Sequence, residues 1–146
     1  MADLTRKAQQ AIINWLGQTS THGGSIAGVT VTHFENEGGF SIDDGPRVVV
    51  TANRGNELSP DTGIFALECD VTLYAHGNDT TEAEMESVRG AIETALQWDA
   101  LPAALSAQLA DFKVWGLIDR GGDAPRNKDG MYVWAYEVNL YAQAQD

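Results

Sequence analysis

One switch of hydrophobic period constrains this chain more than any other feature. From Ile64 to Ala75 the side chains alternate. Phe65, Leu67, Cys69, Val71, Leu73 and Ala75 share one side, and Glu68, Asp70 and Thr72 share the other. That is the period of two of a long strand with a single buried face. His76-Gly77-Asn78-Asp79 is a turn-type cluster, and beyond it the period becomes helical. Met85, Val88, Ala91, Ile92, Ala95 and Leu96 fall on one stripe. Thr81 and Glu84 have the spacing of a capping box, and Glu82, Glu84 and Glu86 lie where the helix dipole favours acid. A one-faced strand followed by a one-striped helix can bury both only by laying the helix on the sheet.

The flanking segments extend this unit. Leu4, Ala8, Ala11, Ile12, Trp15 and Leu16 predict a helix over Asp3 to Leu16, with Arg6, Lys7, Gln9, Gln10 and Asn14 in solvent. Asp3 is its expected cap and Gly17 its expected left-handed stop. Gln18 to Ser25 reads as a loop and Gly28 to Phe34 as a short strand. Glu35 to Gly45 is an acidic, glycine-bearing connection that Phe40 and Ile42 would anchor. Pro46 opens a β-branched strand, Arg47 to Ala52, expected to be buried on both faces. Asn53 to Gly63 reads as a polar loop. Ala103 to Ala110 forms a short helix behind Pro102, and Phe112 to Ile118 a strand. Asp119 to Gly130 is a charged loop, and Met131 to Ala142 a closing strand with Tyr132, Trp134, Tyr136, Val138 and Leu140 on one face. No repeat or linker divides the chain, so residues 1–146 read as a single α+β domain. Its sheet is mostly antiparallel, with the N-terminal and central helices on one face.

Twenty-one Asp and Glu against nine Lys and Arg give a formal charge of −12. Duplex binding draws most of its affinity from basic side chains neutralising phosphates, so specific nucleic-acid binding is disfavoured. Apolar runs are too short to span a bilayer, and the opening residues carry no signal-like apolar core, so neither a membrane nor a secreted location is expected. Cys69 is the sole cysteine, excluding an intrachain disulfide.

A search for chemistry returns little. His22, His33 and His76 are scattered and lack zinc-ligand spacing. Cys69 lies on the predicted core face with no base beside it in sequence. Gly23-Gly24-Ser25-Ile26-Ala27 is close to a nucleophile elbow, but a helix precedes it and a strand follows, the reverse of the order that motif needs. Asp43-Asp44-Gly45 and the carboxylates from Asp119 to Asp129 lack the spacing of a calcium loop. Asn78-Asp79-Thr80 is a formal glycosylation acceptor without a secretory signal. No glycine loop has phosphate-binding order, and no metal or cofactor is expected. Trp98, Trp115, Trp134, Tyr132 and Tyr136 could stack bases, but nothing basic tracks them. Core packing or subunit contact is the expectation.

The layout resembles the tail terminator, or tail completion, family of long-tailed bacteriophages. The likeness lies in the opening helix Arg6 to Leu16, the proline-led strand Pro46 to Val50, the strand Leu73-Tyr74-Ala75 running into Thr80-Thr81-Glu82-Ala83-Glu84, and the aromatic closing strand Tyr132 to Tyr141. The polar insertion at Asn53 to Gly63 departs from the tightest versions. The resemblance implies a non-enzymatic virion protein, assembled in the bacterial cytoplasm. It would form a ring, typically of six, on the head-proximal end of the tail tube. The ring would end tube polymerisation and meet the head–tail connector, with genomic DNA passing through its lumen unbound. A neck adaptor or minor tail subunit is the related alternative. A small hydrolase using Ser25 or a carboxylate pair is the remote one. For a ring, the expected contact residues are Arg47, Arg54 and Glu57, then Arg120, Arg126 and Lys128, as charged groups offered by loops to a neighbour's surface.

Overall fold

The structure, a computed structural model, describes residues 4–17, 30–33, 47–76, 82–122, 126–128 and 131–144. The described elements are α1 (Leu4–Leu16), β1 (Thr30–His33), β2 (Arg47–Glu57), β3 (Ile64–His76), α2 (Glu82–Leu96), α3 (Leu101–Ser106), β4 (Phe112–Gly122), β5 (Arg126–Lys128) and β6 (Met131–Ala144). The architecture is α+β, as the two periods require. The sheet runs β1-β2-β3-β6-β4, with β5 continuing past β4 along the same edge of β6. All pairings are antiparallel except β1 with β2, which is parallel.

The central pair, β3 and β6, is in register over its whole length, from Ile64 opposite Gln143 to His76 opposite Met131. The alternation in both strands therefore agrees. Leu67, Cys69, Val71 and Leu73 lie opposite Leu140, Val138, Tyr136 and Trp134, all buried in one core. A one-residue slip would invert every one of these side chains, which is why the register is strongly specified. Val48 and Val50 join the same core from β2. Val49, on the opposite side, is buried too, so the valine run is covered on both faces.

The three helices supply the other half of the core. Leu4, Ala8, Ala11, Ile12, Trp15 and Leu16 come from α1; Met85, Ala91, Ile92, Ala95 and Leu96 from α2; Leu101 and Leu105 from α3. The Trp15 indole N–H donates to the Ala95 carbonyl at 2.9 Å and ties α1 to the end of α2. The stripe on α1 is wider than its apolar residues suggest, because Lys7 and Gln9 are buried as well. Lys7 reaches the Asp111 carboxylate at 2.9 Å, running its methylenes over the core while its ammonium stays at the edge. Gly17 is not left-handed. Its N–H still donates to Ile13 at 3.1 Å, so the residue extends the helical turn.

Two expected loops are partly strand. β2 runs on to Glu57 through an irregularity between Arg54 and Glu57, leaving only residues 58–63 to turn. Asp61 and Gly63 take positive φ there, and the Glu57 carboxylate accepts the Gly63 N–H at 2.7 Å. β4 runs past Ile118 to Gly122 with two register shifts, and β5 occupies part of the supposed 119–130 loop. The short helix is Leu101–Ser106, not Ala103 to Ala110, and the last strand reaches Ala144. The capping box at Thr81, the Asp3 cap and the segments around Ser25, Phe40 and Asp43 lie outside the described residues.

Candidate subunit interface

With every described helix on one face, the opposite face of the sheet carries the alternate residues. From β3 these are Ile64, Ala66, Glu68, Asp70, Thr72 and Tyr74; from β6, Val133, Ala135, Glu137, Asn139, Tyr141 and Gln143. Along β4 they are Lys113, Trp115 and Ile118. This face divides by chemistry.

Its centre is acidic. Asp70 lies directly opposite Glu137, and Glu68 is two residues from Asp70 on the same side. Burial, and then the Glu68 charge, push the Asp70 carboxyl above its ordinary value. Like charges directly opposite in a sheet are destabilising. Beside them, with the Asn139 amide turned to the orientation that satisfies both of its polar atoms, its oxygen accepts from Arg120 Nε at 3.0 Å and Nη2 at 3.2 Å.

The quarter nearest the start of β3 is apolar. Leu58 sits across from Ile64, donating its N–H to the Ile64 carbonyl at 2.8 Å. Ile64, Ala66 and Tyr141 continue to Gly116, where a Cβ would stand 3.5 Å from the Tyr141 ring. Trp115 and Ile118 complete the patch at 52% and 40% exposure, and Leu58 is 52% exposed. Trp115 is held in place: its indole N–H donates to Gln143 Oε1 at 3.0 Å and Lys113 Nζ lies 3.8 Å from its ring centre. Gln143 in turn donates to the Thr62 carbonyl at 2.8 Å. The outer edge of β4 is poorly suited to pairing. Ser106 Oγ takes the Val114 N–H at 2.9 Å, and the register shifts at Trp115 and Arg120 bend the strand, as edges that avoid accretion do.

The six residues expected at contacts do not converge. Arg47 heads β2, and Arg54, Glu57, Arg120, Arg126 and Lys128 stand in strands where loops were expected. Register puts Arg47, Tyr74, Val133 and Arg126 in one row across the sheet, with Lys128 two pairs further on opposite Met131. Three strand spacings separate Arg47 from Arg126, about 14 Å. The side chains of Arg47, Arg126 and Lys128 lie outside the described residues. Arg54 and Glu57 are at the other end of the sheet. The Arg54 guanidinium lies 4.8 Å from the Phe65 ring centre, and Glu57 serves its own turn. Of the six, Arg120 stands beside the open face.

A second polar group, on the helix side, had no sequence signal because its members belong to distant segments. Arg89 clamps Glu86 and Glu93 and lies 6.0 Å from the Trp134 ring, and the Tyr132 hydroxyl donates to Glu86 at 3.2 Å. The bond from Arg89 holds Glu86 below the ordinary carboxylate range. The Tyr136 hydroxyl donates to Asp119. Burial, assisted by Glu86 and by Asp119 respectively, lifts both phenols to about 12. The carboxylates and the single guanidinium are mutually engaged, which makes this an anchor for α2 rather than an acid–base pair. Cys69 is wholly buried and its thiol is pushed to about 12, so it is a core residue and no nucleophile. Trp134, Tyr136 and Tyr132 are core, whereas Trp98 and Trp115 are exposed.

Among the described residues no three His, Cys, Asp or Glu side chains gather as metal ligands, and no helix is long and apolar enough to cross a membrane. No protein-family model matches this chain, and no curated protein matches it in sequence.

Proposed function

We propose that this chain is a structural subunit that closes with copies of itself into a ring and serves as the terminator of a phage tail tube.

 The observation that carries this reading is the sheet face opposite the described helices, where Leu58, Ile64, Tyr141, Trp115 and Ile118 form an apolar quarter beside an acidic strip. Half-exposed large apolar side chains grouped on one face of a rigid sheet are the composition of a contact surface. A heterologous contact closes into a ring when its rotation permits. The sequence resemblance supports a position for that ring at the head-proximal end of the tube, in the virion. There its partners are the tube protein on one side and the head–tail connector on the other. The net charge of −12 suits a lumen through which DNA slides without binding. No enzymatic step is assigned.

The test is the mass of the purified full chain by native mass spectrometry, with negative-stain images. A closed ring, hexameric on this reading, that caps purified tail tubes supports the proposal. Twelve-fold stoichiometry with portal binding would transfer it to a neck adaptor. A monomer at all concentrations that turns over a generic ester would overturn it. A ring whose acidic residues line the outer wall around a neutral or basic pore would sink the lumen argument alone.

A further inference from the structure

The turn between α2 and α3 borders an open depression of about 440 Å³, lined by Thr94, Gln97, Trp98, Asp99 and Ala100. It lies on the helix side of the molecule, away from the sheet face discussed above. Three features there favour the same kind of ligand. Trp98 is 37% exposed, and its ring is fixed by an edge contact with buried Trp15, at 5.8 Å between centres and 62° between planes. Asp99 is exposed and makes no ion pair among the described residues. The 15-residue α2 ends at the depression with no basic residue in its last turn. Trp15 takes the Ala95 carbonyl, and among the described residues no backbone N–H from beyond the helix reaches the carbonyls of Thr94 or Leu96. An aromatic ring, a carboxylate and the negative end of a helix all attract a cation.

We propose that this depression receives an arginine or lysine side chain from a separate, basic protein. Among the described side chains, the chain itself is a poor source of that side chain. Lys7, Arg54, Arg89, Lys113 and Arg120 each have a partner within their own chain, and Arg6 is engaged as well. The net charge of −12 also draws a basic partner in. The proposal does not rest on ring formation.

The probe is N-acetyl-arginine methylamide, with the citrulline compound as its uncharged isostere, titrated into the ¹⁵N-labelled full chain. Saturable shifts of the Trp98 indole and of the Asp99 and Ala100 amides are expected with arginine, and at least threefold weaker binding with citrulline. Asp99→Asn, an exposed and conservative change, should weaken arginine binding about threefold to fivefold while leaving the other indole signals in place. Equal shifts from both compounds, no shift at Trp98, or an Asp99→Asn variant that binds as before would each overturn the assignment. Shifts that track the protein's own concentration instead of the probe would give the depression to a second copy and equally overturn it. None of these outcomes bears on the mass measurement, so the two readings fail separately.

Discussion

Removing the apolar quarter of the bare sheet face should dissolve the assembly and leave the subunit folded. The double variant Trp115→Ala with Ile118→Ser is the sharpest perturbation, because both side chains lie on β4 and are already half open to solvent. A buried aromatic side chain offers roughly 200 Å², so the open half of Trp115 is on the order of 100 Å². At about 25 cal/mol per Å² that area is worth roughly 2.5 kcal/mol if a neighbour covers it. The open part of Ile118 adds about 1 kcal/mol on the same scale. Ordering costs on association consume part of the total, leaving about 2 kcal/mol per junction, or roughly 30-fold in its dissociation constant. The subunit itself loses the Lys113 contact and the Gln143 bond, about 1 kcal/mol together at an exposed site. Sedimentation velocity over a hundredfold dilution series should show the variant dissociating at concentrations about 30-fold higher than the parent, with unchanged far-ultraviolet dichroism. An assembly equally resistant to dilution in both proteins would refute the assignment of this face.

Two further predictions concern the fold. A Cβ at Gly122 would stand 2.8 Å from Trp134 Cζ2 and 3.0 Å from its Nε1, and the ring, 1% exposed, has little room to move. Gly122→Ala should therefore cost about 1–3 kcal/mol and lower the melting temperature measurably; a melting point within a degree of the parent would contradict that packing. Asp70 carries a carboxyl raised above its unfolded value, so its ionisation opposes folding at neutral pH. Asp70→Asn should stabilise the protein at pH 7 by up to about 1 kcal/mol. Its advantage should shrink as pH falls through the raised folded value and vanish below the ordinary aspartate value, where both states are protonated. Urea midpoints at three pH values decide this, and a gain that persists undiminished in acid would count against it.

What could be read from the sequence depended on how local the cause was. The faces of β3, β6, α1 and α2 were legible because side-chain alternation and helical stripes are fixed by backbone geometry within a few residues. The extension of β2 to Glu57 was not, since Asn53, Arg54 and Gly55 have poor strand propensity and are held by pairing with β3 across the sheet. The same holds for Asp119 to Gly122, whose strand is imposed by β6. Lys7 looked like a surface residue because its partner, Asp111, is far along the chain. The charged contact candidates were marked by residue type alone, and only register shows that Arg47 and Arg54 stand towards opposite ends of one strand and that Glu57 is engaged by its own turn. The apolar quarter, by contrast, draws Leu58, Ile64, Trp115, Ile118 and Tyr141 from three separated segments and had no sequence pattern to announce it.

The acidic strip limits how that quarter can be used. If two copies met through the bare face about a two-fold axis, each would present Glu68, Asp70 and Glu137 to the same groups of its partner. Asp70 and Glu137 already oppose each other within one sheet. Stacking a second set above them would bury like charges against like, which costs several kcal/mol. The edge of β4 offers no symmetric alternative, with the Val114 N–H already bonded and the strand bent at two places. The contact is therefore expected to be heterologous, with the apolar quarter of one copy covering a different surface of the next. That geometry can close a ring but cannot stop at a two-fold dimer. Ile118→Cys tests it directly, since the native Cys69 is buried and does not compete. A two-fold axis passing through the patch at Ile118 would bring the introduced thiols within the roughly 7 Å Cα separation a disulfide permits. Oxidation of the assembled variant should leave it monomeric on non-reducing gels, whereas rapid and complete dimer formation would establish a symmetric interface and refute the heterologous arrangement.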